Sequence, residues 1–186
     1  MNEELPGLIA EANAIATDAE RTFGRLSHAQ LNWKRRPDEW SVAQCFDHLV
    51  KIDSTYFPQF RQIAQGQYSP TWRDRVPMVG RILGSLVLGA VQPQAPRKLK
   101  AARHVSPSTN AISSTIVATF TAHQQQVIEH MKRTGHLDLR SIVVKSPVAP
   151  IAFYSLLDAF RIIVAHERRH MAQAQRVTAA DGFPKS

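Results

Sequence analysis

At 186 residues and 44% apolar composition, the chain has the length and the core-forming residues of one domain spanning 1–186, and its low glycine content favours helix over sheet. The net charge of +8 is spread out and comes with no nucleic-acid-binding motif, so it reads as a solvated surface and no nucleic-acid partner is expected. The single cysteine, Cys45, excludes an intrachain disulfide and fits a reducing, cytoplasmic setting.

The first helix is expected from about Glu3 to Gly24, with Leu8, Ile9, Ala12, Ile15, Ala16, Ala19 and Phe23 at helical spacing. Its acidic start, Met1 to Leu8, has no apolar run and does not read as a signal peptide. A connection follows from Leu26 to Glu39. The second helix opens on Ser41 and Gln44, spaced as a capping box, with Trp40 and Cys45 placed as a hydrophobic staple. Pro58 kinks it, and it ends near Gln65 and Gly66.

Residues 66–110 hold Pro70, Pro77, Pro93, Pro96 and Pro107. One short apolar helix, about Val79 to Val91, is expected inside this crossover, as a lid, a dimer surface or a core element. Met78 to Val91 is too short to span a membrane, which takes about 20 apolar residues, and no membrane partner is expected. The densest basic stretch is Arg97, Lys98, Lys100 and Arg103, with Arg73, Arg75 and Arg81 upstream. A third helix is expected over Thr109 to Thr134, capped by Ser108 or Thr109. A link from Asp138 to Pro150 includes an extended piece at Ser141 to Val144. The fourth helix is expected from Ile151 to Ala179, closed by Asp181 and Gly182.

His166 and His170 lie four residues apart, on one face of the fourth helix. Two such imidazoles can grip one ion at about 2.0–2.1 Å; two histidines without a metal are the alternative. Leu156, Leu157, Phe160, Ile163 and Val164 make the surroundings apolar, and an unpaired buried imidazole is costly. His48, two turns into the second helix, is the natural third ligand; a hydrogen-bonded core histidine is its alternative. Were these helices parallel, the ligands would be offset by about 10–16 Å at 1.5 Å per residue. Antiparallel helices bring them level. The long crossover permits this, so the expected fold is all-α, an up-down-down-up four-helix bundle.

The run Trp40-Ser41-Val42-Ala43-Gln44-Cys45-Phe46-Asp47-His48-Leu49 resembles the second-helix motif of the DinB-like superfamily. The run His166-Glu167-Arg168-Arg169-His170-Met171-Ala172-Gln173 resembles its fourth-helix motif. Leu31-Asn32-Trp33 and the stretch from Arg103 to Ser108 are also similar to the subgroup with a Trp-Ser start. The resemblance implies His48, His166 and His170 as a metal triad, commonly with zinc or nickel. It further implies either a thiol-dependent transferase or isomerase, using bacillithiol, mycothiol or a related low-molecular-weight thiol, or a metal-dependent hydrolase.

Three histidines leave coordination positions open, where an ion can activate water or a thiol. That chemistry alone leaves transferase and hydrolase open; taken with what the resemblance implies, the expected function is a metal-dependent enzyme of the thiol S-transferase type acting on a small molecule. The alternatives are a metal-dependent hydrolase or a non-catalytic, metal-stabilised stress-response or binding module, and a homodimer is among the expected assemblies. No catalytic base is identified: Asp47 and Glu167 adjoin ligands and point elsewhere, and Asp158 is about two turns, or 11 Å, from His166. Gln44 and Gln173 are placed to orient imidazoles, or are ordinary surface amides. His123 lies on an inward stripe and could approach the pocket. His28, His104, His130 and His136 lack ligand spacing. Cys45, three residues before His48 and on a near face, reads as a packed core thiol, with a sulfur ligand as its alternative.

Overall fold

The computed structural model describes residues 3–69, 77–94, 102–149 and 151–185. The expectations for Arg73, Arg75, Arg97, Lys98 and Lys100 lie outside these residues. Seven α-helices account for most of the described chain: α1 (Leu5–Phe23), α2 (His28–Asn32), α3 (Val42–Ser54), α4 (Phe57–Ala64), α5 (Pro77–Val91), α6 (Ile116–Thr134) and α7 (Leu156–Thr178). A 3₁₀ turn at Arg103–Val105 and two short strands, β1 (Val143–Lys145) and β2 (Phe153–Ser155), complete it.

Several boundaries depart from the sequence reading. α2 sits in the stretch expected to be a connection, held by Ser27 and Gln30 in a capping box. The expected second helix is two, α3 and α4. Pro58 stands near the start of α4, where its missing N–H costs no helical bond. Gly66, at φ +71°, then turns the chain in the left-handed region. α6 starts at Ile116, later than the expected Thr109, and no side chain caps it. β1 pairs antiparallel with β2, Val144 opposite Tyr154, so α7 starts at Leu156 rather than Ile151. Ser155 accepts from the Asp158 N–H at 3.0 Å, which fixes that start.

α1 and α3 each pack against both α6 and α7. Side-chain pairs give the directions. Glu4 meets Arg161 and Glu11 meets Arg168, so α1 and α7 run the same way. Leu5 lies beside Gly135, and Gln124 donates to the Ala12 carbonyl at 3.3 Å, so α1 and α6 run oppositely. Phe46 meets Phe120 while Phe57 and Phe60 meet His130, so α3–α4 and α6 run together. Tyr56 meets Tyr154 while Trp40 meets His170, so α3–α4 and α7 run oppositely. One apolar cluster fills the space between them. Phe23, Phe46, Phe60, Phe120 and Phe160 are fully buried in it, and burial of each such side chain stabilises by about 1.5–3 kcal/mol.

Candidate metal centre

α3 contributes His48, and α7 contributes His166 and His170. All three are buried, and one ring nitrogen of each lies within 4.8 Å of the others. The Nε2 atoms of His166 and His170 are 3.0 Å apart. Two ligands at 2.0–2.1 Å on a tetrahedral ion stand about 3.3 Å apart, so this spacing fits one shared ion closely. No carboxylate or thiolate of the described residues shares the grouping.

The tautomer of His48 follows from its partner. Nδ1–H donates to the Val105 carbonyl at 2.6 Å, leaving the Nε2 lone pair for the centre. Val105 is held in turn. Asp47 accepts from the Ser108 N–H at 2.7 Å and from the Lys51 ammonium at 2.8 Å. Gln44, besides its capping box with Ser41, donates to the Ser108 carbonyl at 2.8 Å. The segment from the 3₁₀ turn to Ser108 is thereby clamped onto α3, with a carbonyl aimed at the imidazole.

Trp40 closes another side. Its indole stacks on His170, with ring centroids 5.4 Å apart, and lies 4.9 Å from the His48 ring. The site is thus walled by an aromatic plane and a fixed loop. Two surface hollows, of about 670 and 370 Å³, do not include the triad; the first is lined by Glu3, Glu4 and His136, the second by Ile15, Gln92 and Arg168.

The electrostatics keep these rings neutral. Burial drives the His166 pKa down to about 3, with His48 and Arg169 adding repulsion. Burial likewise lowers His170 well below the usual imidazole range, reinforced by His166, His48 and Arg169 and opposed by Gln173. Burial lowers His48 too, against the Val105 hydrogen bond. Three unprotonated imidazoles converging in one buried place, with no carboxylate of the described residues among them, suit a cation with open coordination positions.

The other sequence candidates fall elsewhere. Asp47 and Gln44 hold the loop rather than an imidazole. Glu167 turns away from the triad and accepts from Gln124 at 2.7 Å, and burial raises its pKa to about 8. Asp158 binds Ser155 and Arg161. His123 is buried against Phe57, outside the grouping, with its pKa lowered to about 4 by burial and by His130. Cys45 is fully buried and pushed up to about 12, which makes it a packed thiol. Trp40 and the Val105 carbonyl were not read as parts of the site. Trp40 lies two turns before His48, a position compatible with the same face, but a main-chain carbonyl leaves no trace in sequence.

No curated protein and no solved structure matches the chain. The sequence profile of the DinB superfamily matches residues 13–174, a span that runs from α1 into the last turns of α7 and includes all three histidines; the chain belongs to the DinB superfamily.

Proposed function

We propose that this is a divalent-metal protein of the thiol S-transferase type, acting on a small molecule, with His48, His166 and His170 holding zinc or nickel. The helix directions support reading its fold as an up-down-down-up four-helix bundle with α5 inside the crossover. One observation carries the metal reading: three imidazoles from two antiparallel helices converge, and each is disfavoured as a cation by burial. A bound ion supplies a Lewis acid that activates a coordinated thiol or water.

The chain's own residues do the rest. Val105 fixes which nitrogen of His48 faces the centre, Trp40 excludes water from one side, and α3 and α7 hold the ligands rigidly. The thiol reading is favoured over hydrolysis by the carboxylates. Asp47, Asp158 and Glu167 each bind another side chain, and no carboxylate of the described residues joins the three imidazoles to serve as a base for water. A low-molecular-weight thiol, acidic enough to ionise on a metal, needs no such base.

Metal analysis of protein purified without chelator, beside the triple His48→Ala, His166→Ala, His170→Ala variant, tests the centre. About one ion per chain in the wild type and none in the variant is expected; equal content in both would end the reading. A screen of small thiols with electrophiles, run with and without metal, tests the chemistry. Metal-linked turnover of ester or amide substrates without thiol would point to the hydrolase instead.

A further inference from the structure

Six large apolar side chains stand exposed among the described residues: Met78, Val79, Ile82 and Leu86 on α5, and Val148 and Ile151 in the β1–β2 loop. Scattered exposed apolar residues are ordinary, but these belong to two elements in contact. α5 lies along β2, with Gly80 against Phe153 and Gly84 against Tyr154. Met78, Ile82 and Leu86 recur every four residues and form one row on the outer side of the helix. Met78 is 73% exposed, Leu86 65% and Ile151 87%, so the patch is a surface and not a partly filled core.

Charge identifies what would cover it. No acidic residue occurs in 77–94 or in 139–157. Arg81 is exposed on α5 and Lys145 at the end of β1, where the loop begins, and exposed Arg103 adjoins His104, which is bonded to the Pro147 carbonyl of the loop at 3.1 Å. Across 66–104 the sequence holds seven Lys and Arg against one acid, Asp74.

We propose that this patch docks the protein onto an anionic lipid bilayer, with the outer row of α5 and the loop tip entering the headgroup region and the basic rim meeting lipid phosphates. A second copy fits less well. α5 by itself offers a strip about 22 Å long and 10 Å wide, and the loop adds only two exposed large apolar side chains, short of the roughly 800 Å² per partner of a stable interface. Self-pairing would also bring like-charged rims together. Nucleic acid would leave the apolar row uncovered. The sequence expectation of no membrane partner rested on the lack of a spanning stretch. No helix of the described residues is long and apolar enough to cross a bilayer, and surface docking requires none.

The test is flotation of the full chain with vesicles of phosphatidylcholine containing about one third phosphatidylglycerol, and with pure phosphatidylcholine vesicles. Wild type is expected to float with the anionic vesicles, weaken with added salt, and stay behind with the neutral ones. The double variant Ile82→Glu, Leu86→Glu, whose side chains face solvent, is expected to lose about tenfold in partitioning at an unchanged melting temperature. The double variant Arg81→Glu, Lys145→Glu supplies an independent reading that leaves the apolar row intact, and is expected to lose binding to the anionic vesicles. No flotation of wild type, equal flotation of wild type and both variants, or lipid-free sedimentation showing a wild-type dimer that Ile82→Glu, Leu86→Glu converts to monomer would each overturn the proposal, the last in favour of a second copy.

Discussion

The indole of Trp40 lies almost parallel to the His170 ring, 17° from coplanar, while the same indole meets His48 at 58°. One side chain ahead of α3 therefore touches a histidine of the triad from each of its two helices and spans the gap between them.

Trp40→Ala should loosen that separation without removing a ligand. Metal affinity is expected to fall about tenfold, the usual effect of losing a group that orients a ligand, and Trp40→Phe should restore most of it. Competition titration against a chelating dye checks this. Unchanged affinity in Trp40→Ala would make the indole mere packing.

Asp47→Ala removes the acceptor shared by Lys51 and the Ser108 N–H. The loop should loosen, Val105 should release Nδ1 of His48, and stability should fall by about 1–2 kcal/mol. Denaturant melts and metal titration should show the two losses together. A stability loss with full metal affinity would mean that the clamp does not set the His48 tautomer.

Acid should destabilise the metal-free protein early. His48, His123, His130, His166 and His170 all have lowered pKa values from burial, His123 to about 4 and His166 to about 3. In the unfolded chain they protonate near pH 6.5 while the folded chain keeps them neutral. Their contribution is intact above that pH and drains away as pH falls below it, by up to about 1.4 kcal/mol per pH unit for each group. Glu167 acts oppositely. Held protonated up to about 8 in the fold, it costs stability as pH rises from the ordinary carboxyl range toward 8. Thermal melts between pH 5 and 9 should therefore fall away on the acid side, and Glu167→Gln should gain stability relative to wild type at pH 8 but not at pH 5.

Two glycines of α5 should respond with opposite sign. A Cβ at Gly84 would stand 3.0 Å from Tyr154 Cβ and 3.1 Å from an Asp158 oxygen, so Gly84→Ala should unseat the helix and lower the melting temperature. Gly89 has open space around it and sits inside a helix, so Gly89→Ala should stabilise by about 0.5–1 kcal/mol. Equal melting temperatures for the two would mean that α5 is not packed as described.

The long helices were legible because their apolar stripes are continuous: the stripe from Leu8 to Phe23 gave α1 to within two residues at its start. The His166–His170 pair was legible from helical spacing alone. What escaped was set by partners distant in sequence. The second strand of the hairpin is only Phe153–Ser155, too short for alternation to be read, and its pairing with β1 delays α7 by a turn and more. α6 starts late because the Ile112 N–H and carbonyl are taken by the Asn32 side chain instead of a helix. α2 was open to detection, since Ser27 and Gln30 repeat the spacing of Ser41 and Gln44. Trp40 was read as a staple because local spacing records which residue precedes a helix, and not which ring lies across from it.

The carbonyl that meets His48 belongs to the main chain of residue 105, and main-chain atoms are indifferent to most substitutions. The exposed neighbours Arg103 and His104 can therefore be exchanged without disturbing the imidazole, provided the turn keeps its course. The hold on the imidazole and the identity of these two exposed side chains are thereby uncoupled: the contact depends on the course of the main chain through residue 105.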